Sequence, residues 1–263
     1  MTEAAAVAEA ILLAQLSWSE TRDILHTNEV VLLPVGAHEQ HGPGIAVSTD
    51  TLSADALCRR AAAQMGARAA VAPVIPYGVS WQHLHFPGTI TLTPGTLTTL
   101  LLEIVGSLAQ HGFPRVAIVN GHGGNTAAIA TAVDAARQTI TGTRVIGLYG
   151  YGFIGEHADV LLPADAGGHG GGGEAAVVMA VAPDYAKPHA FAPSEPITAG
   201  MNLNNRLRPY GGVAGSYYDE MTTNGAGGDT RPATAAIGNE ILNRAAASLA
   251  ALLNDFIALT PRT

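Results

Sequence analysis

The residues best able to do chemistry lie in three short polar stretches. GAHEQHGPGIAVSTD (36–50) carries Glu39, His41 and Asp50, and NGHGGN (120–125) carries His122. Glu39 and His41 are two apart, so on extended backbone their side chains point the same way. Together Glu39, His41, Asp50 and His122 make an N/O donor set that suits Zn, Mn or Fe. Asp50 stands just before a helix-like run and has two readings. It is an N-cap worth about 1 kcal/mol, or a carboxylate whose two oxygens bridge two ions. HEQH is one residue short of H-E-x-x-H, so no compact metal motif supplies the site. The three glycines around His122 suggest backbone held close to something bound.

YGVSWQHLHFPGT (77–89) offers His83 and His85 on one face of an extended segment. They are ligands or pocket walls, with Trp81 and Phe86 packing beside them, and pocket lining is the preferred reading. His38, His41, His83, His85, His122, His157, His169 and His189 all read as loop or loop-edge residues. Other motifs fail. GYGFIG (150–155) satisfies G-x-G-x-x-G but lacks the long helix that a dinucleotide fold places after it. Gln82 stands where a serine-hydrolase elbow needs glycine, and no P-loop sequence occurs.

Apolar, β-branched runs at 29–36, 69–78, 115–120 and 143–150 read as buried strands, with a short extended piece at 90–92. Helical stretches fall between them. One covers 51–65. Another is opened by Thr93-Pro94 and closed by Gly112, a third starts near Asn125, and a last one spans about 233–256. This alternation predicts one layered α/β/α domain over residues 1–263 with a mostly parallel sheet. Ligands then sit at the carboxyl ends of the strands, where the three polar stretches fall. Residues 150–232 read as loops over the same edge. Within them, 200–232, with Arg206, Arg208, Tyr217, Tyr218 and Arg231, forms a lid or a subunit contact.

Of 263 residues, 48% are hydrophobic and 13% charged, which predicts a packed globular chain. The net charge of −8, without a basic run, leaves no footprint for nucleic acid or anionic membrane. One cysteine, Cys58, rules out an internal disulfide and fits a cytoplasmic location. The N-terminal stretch, with Glu3 and Glu9 and no early Lys or Arg, reads as an amphipathic docking helix and not a signal peptide. No uninterrupted apolar run reaches membrane-spanning length.

GAHEQHGP with STD, YGVSWQHLHFPGTITL, NGHGGN and HGGGGE, in this order and spacing, resemble the creatininase family of metal-dependent amidohydrolases. The resemblance covers about residues 28–182 and, loosely, the last helix. It implies a layered α/β fold, two divalent metal ions, hydrolysis of cyclic amides, formamides or peptide-like bonds, and a homo-oligomeric ring, often a hexamer. By position it implies that Glu39 and His122 hold one ion, His41 the other, and that Asp50 bridges. His169 matches the catalytic histidine, and Glu174 the glutamate five residues later, with a role in catalysis or metal binding. Ser80 lies in the substrate-contacting motif, which extends the expected contacts to Trp81, His83 and Gly123. In creatininase itself a glutamate stands two residues after the NGH histidine; here that position is Gly124, so the resemblance implies a second ion that relies on Glu174 or is held more weakly. Gly44, Ala175 and Ala176 also depart from the family pattern, near the substrate side.

The implied chemistry is attack by a metal-activated water, whose pKa falls from 15.7 towards about 7, on the carbonyl of a small-molecule amide, with His169 carrying the proton to nitrogen. The competing reading is a non-catalytic relative that uses bound metal for structure or assembly.

Overall fold

Apolar β-branched runs form the centre of a parallel sheet because both of their faces are covered. The computed structural model describes residues 9–197, 206–207, 209 and 215–259. Strand β2 (Val30–Val35) is buried along its whole length, as is β4 (Arg115–Asn120). Around them stand β1 (Ile11–Leu12), β3 (Ala69–Val71) and β5 (Arg144–Tyr149). All five are parallel, in the order β1-β3-β2-β4-β5.

Side chains alternate between the two faces. Val30 and Leu32 enter one core with α2 (Thr49–Met65), α5 (Gly150–Leu161), α6 (Gly172–Val181) and the last helix, α7 (Ala235–Ala258). Val31, Leu33 and Val35 enter the other with α3 (Pro94–Gln110) and α4 (Thr126–Thr139). Helix α1 (Trp18–Ile24) adds Ile24 at that second face. This is the expected three-layer α/β/α domain.

Strand order reverses between β2 and β4: the chain leaves β2 for β3 on one side, then crosses to β4 on the other. Open α/β sheets bind ligands in the crevice beyond such a reversal. The loops after these two strands carry Glu39 and His41, and His122.

Several expectations need correction. Among the described residues the N-terminal stretch is not one docking helix: Ile11–Leu12 pair with Ala70 and Val71 as an edge strand, a 3₁₀ turn follows at Leu13–Gln15, and α-helix begins at Trp18. The run 69–78 is strand only through Val71, since Pro73 and Pro76 lack the N–H a ladder needs. Residues 150–161 and 172–181 are helices, not loops, and His157 lies in the first of them. GYGFIG therefore does run into a helix, but Gly152 and Gly155 sit inside it, leaving no glycine loop to hold a pyrophosphate. α7 is long and apolar enough to cross a membrane by composition, with mean hydropathy 1.2, yet half of that window is buried in this protein's own core. Arg208 lies outside the described residues.

Candidate metal centre

Each donor is placed by an element end. Glu39, Gln40 and His41 follow β2, His122 follows β4, and Glu174 lies in the first turn of α6. Asp50 lies in the first turn of α2 behind Ser48, the N-cap residue, so the capping reading of Asp50 falls. His169 precedes α6, and His83 ends a 3₁₀ turn, Trp81–His83. Glu39, Asp50, His83, His122, His169 and Glu174 line a cavity of about 390 Å³. Glu39 is 0% exposed and Asp50 3%.

Backbone carbonyls, which can only accept, set the ring tautomers of three histidines. His41 Nδ1–H donates to the Glu39 carbonyl at 3.0 Å. His122 Nε2–H donates to Val79 O at 2.9 Å, and His169 Nε2–H to Gln40 O at 2.7 Å. The remaining nitrogen of each ring presents a lone pair inward. There it meets carboxylates: His41 Nε2 lies 3.1 Å from Asp50 Oδ1 and 3.7 Å from Glu174 Oε2. His122 Nδ1 is 3.1 Å from Glu39 Oε1 and 3.3 Å from Asp50 Oδ2. His169 Nδ1 is 3.6 Å from Glu39 Oε1.

A lone pair facing a carboxylate is repulsive unless a cation or a proton lies between them. Among the described residues, Glu39 Oε1 and Oε2 and Asp50 Oδ2 have no hydrogen-bond partner. Buried, unpaired acceptors of this kind are costly, and metal-binding histidines characteristically donate their outer N–H to a carbonyl. The donor set therefore fits divalent cations. Ligand atoms close enough to share an ion form the groups Glu39–Asp50–His122, His41–His169–Glu174 and Glu39–His83–His169.

Protons take the cation's place when none is bound. Burial opposes a charged His41, but Asp50, Glu174 and Glu39 outweigh it and raise its pKa to about 10. His122 is likewise driven well above its ordinary value by Glu39 and Asp50, against its own burial. Asp50 is held low: burial works against its charge, and both imidazoles overcome it. Burial, opposed by His41 and aided by Asp50, pushes Glu174 up to about 7. His169 is pressed well below the ordinary range by burial and by His41 and His83, which keeps its inward lone pair free.

The expected substrate-contacting residues divide. His83 and Gly123 line the cavity, whereas Ser80 is fully buried, its hydroxyl without a partner among the described residues, and Trp81 is 46% exposed; neither lines it. His85 turns away, pairing with Asp219 at 2.9 Å and stacking on Tyr217. At Gly124 a Cβ would stand 2.1 Å from Val79 O and 2.4 Å from His122 Nε2, so no side chain fits there. Glu174 Oε2, held by Gly170 N–H at 2.6 Å, is the carboxylate that faces His41 instead.

Sequence reasoning missed Gln40, and it gave Tyr218 only as part of a lid or subunit contact. Gln40, inside HEQH, binds His83 and Gly42. Tyr218 packs its ring at a tilt against His83 and His169, with centroids 4.5 and 4.7 Å away, and covers one wall. The described end of the 200–232 segment thus reaches the cavity through Ser216, Tyr218 and Met221.

Fold and donor set together define a layered α/β protein with a candidate metal centre at its strand ends. The Creatininase model, creatinine amidohydrolase, matches residues 14–253, and the chain belongs to the creatininase family of amidohydrolases. It is 35% identical over 231 residues to the mycofactocin precursor peptide peptidase of Mycolicibacterium smegmatis, covering 86% of this chain and 85% of that one. It is 33% identical over 195 residues to the creatinine amidohydrolase of Pseudomonas putida, covering 68% and 74%. The solved structure of a Mn creatininase superposes with a TM-score of 0.81 and 27% identity, over 95% of this chain and 100% of that one. A mutant creatininase of Zn-Zn type gives 0.81 and 28%, over 95% and 99%.

Proposed function

We propose that this chain is a metal-dependent hydrolase that cleaves a C–N bond in a peptide-like or cyclic amide substrate. One observation carries the reading: three imidazole lone pairs and three buried carboxylates converge on one another at the cavity. Glu39, Asp50 and His122 would hold one divalent ion, and His41, Asp50 and Glu174 a second. When bound, such ions polarise a carbonyl and make water nucleophilic near neutral pH.

The chain's own groups do the rest. Neutral His169 takes a proton on Nδ1 and returns it to the leaving nitrogen, a role typically worth 10²–10⁴-fold. Tyr218 packs its ring at a tilt against His169 and limits water on that side. His83 and Gly123 line the space beside the donors, in a cavity large enough for a small amide or one end of a peptide. Likeness to a peptide peptidase over most of both chains supports the peptide-like end of this range.

Metal-loaded protein is tested on short peptides, cyclic amides and formamides, with Asp50→Ala as control. Release of a new amine that the control lacks is the expected result. A folded, metal-loaded protein inert towards the whole panel overturns the catalytic reading in favour of a structural role for the metal.

A further inference from the structure

We infer that Gln40 is a positioning residue that sets the tautomer of His83 and through it steadies Glu39. The inference rests on the reading of Glu39 as a metal ligand. The Gly42 backbone N–H can only donate, and it lies 2.8 Å from Gln40 Oε1. The amide orientation is thereby fixed, and Nε2 is the atom that faces His83 Nδ1 at 2.8 Å. An NH₂ group can only donate, so His83 Nδ1 accepts and the ring proton sits on Nε2. That proton is turned towards Glu39 Oε1, 3.3 Å away, an oxygen that lacks a well-aligned donor.

Three features make this arrangement a built one. Gln40 and His83 are 6% and 2% exposed, so water does not compete for either. The His83 ring packs against His169 at 4.3 Å and Tyr218 at 4.5 Å, and those two rings lie 4.7 Å from each other, so a three-ring cluster holds its plane. Gly225, at φ +78°, passes so close that a Cβ would stand 2.1 Å from Gln40 Oε1. The C-terminal segment is thus shaped around the Gln40 amide. His169 Nε2–H is meanwhile committed to the Gln40 carbonyl, so one residue orients both rings flanking Glu39. Partners of ligating carboxylates outside the coordination sphere commonly govern metal affinity 10–100-fold.

The test is a long-range ¹H–¹⁵N correlation spectrum of the histidine rings in the full chain, with and without zinc. Wild type is expected to show His83 Nδ1 as the unprotonated, pyridine-like nitrogen and Nε2 as the protonated one. Gln40→Glu presents an acceptor in place of the NH₂, so Nδ1 becomes protonated. Gln40→Met removes the hydrogen bond at similar size and is expected to weaken zinc binding 10–100-fold. A proton on Nδ1 in wild type, an unchanged pattern in Gln40→Glu, or wild-type zinc affinity in Gln40→Met each overturns the inference. Should a variant fail to fold, the wild-type pattern alone decides. No substrate is involved, so inertness towards amides leaves this result readable.

Discussion

Asp50 Oδ1 faces His41 Nε2 at 3.1 Å, deep in the protein, and the ring's only other nitrogen is already committed to a backbone carbonyl. The contact is attractive only when a proton or a metal ion lies between the two atoms. The same conflict recurs at His122, whose Nδ1 meets Glu39 and Asp50. Asp50 therefore offers one oxygen to each half of the site, and in the proposed function metal would displace the protons held there.

Metal uptake is expected to release protons. Free of metal, His41 titrates near 10 and His122 well above its ordinary value, so both are protonated at pH 7. Each must lose a proton to become a ligand. Zinc titrations in buffers of different ionisation enthalpy report the number released, and zinc affinity should rise with pH from 6 to 9. Uptake without proton release would contradict protonated His41 and His122 in the metal-free site.

The metal-free protein should lose stability as pH rises. His41 has a folded pKa of about 10 against an ordinary 6.5, so its contribution is full below 6.5 and is lost as pH climbs through 10. Glu174 acts in the same direction, since its folded pKa of about 7 exceeds the ordinary 4.5 and ionising it disfavours folding. Asp50, held low, contributes above 3.8 and loses that contribution as the solution is made more acid. Melting temperatures of chelated protein are expected to fall from pH 6.5 to pH 10, and zinc should reverse the trend.

His169→Gln should cut turnover 10²–10⁴-fold while leaving the Glu39–Asp50–His122 ion in place. Turnover and metal content of the same preparation check this. A variant that loses all metal with its activity would make His169 a ligand and not a proton carrier.

Tyr218→Phe should retain most activity and Tyr218→Ala should lower it several-fold, because the packing against His83 and His169 needs a ring and not a hydroxyl. An aromatic contact of this kind contributes about 0.5–1.5 kcal/mol, equivalent to a several-fold fall in kcat/KM. Equal activities in the two variants would remove Tyr218 from the wall's function.

Gly238→Ala tests the fold apart from the site. A Cβ there would stand 1.9 Å from Ala176 O, where α7 crosses α6 backbone to backbone. Overpacking costs about 1–3 kcal/mol or more, so thermal unfolding should show a clear loss. An unchanged melting temperature would contradict the close helix crossing.

Much of this was legible in the sequence, for physical reasons. Val30–Val35 and Arg115–Asn120 run apolar because a parallel strand is covered on both faces, and that pattern needs no partner to be recognised. Glu39, His41, Asp50 and His122 could be brought together because each follows a strand or opens a helix at one sheet edge. The strand at Ile11–Leu12 could not be read, since two residues become a strand only by pairing with Ala70 and Val71. α5 and α6 were hidden by Gly150, Gly152, Gly155, Gly172 and Gly173, whose poor helix propensity is overridden by packing in the core with α2 and α7. Gln40 and Tyr218 carry no pattern of their own, and their meaning comes only from which ring nitrogen or ring face they meet.

The central claim is that hydrolysis depends on cations held between these imidazoles and carboxylates. Its most direct test strips the protein with chelator, returns zinc or manganese in measured equivalents, and follows both bound metal and amide cleavage. The account predicts two ions per chain, activity that appears as they bind, and neither in Asp50→Ala. Undiminished cleavage by protein shown to be free of metal would contradict it.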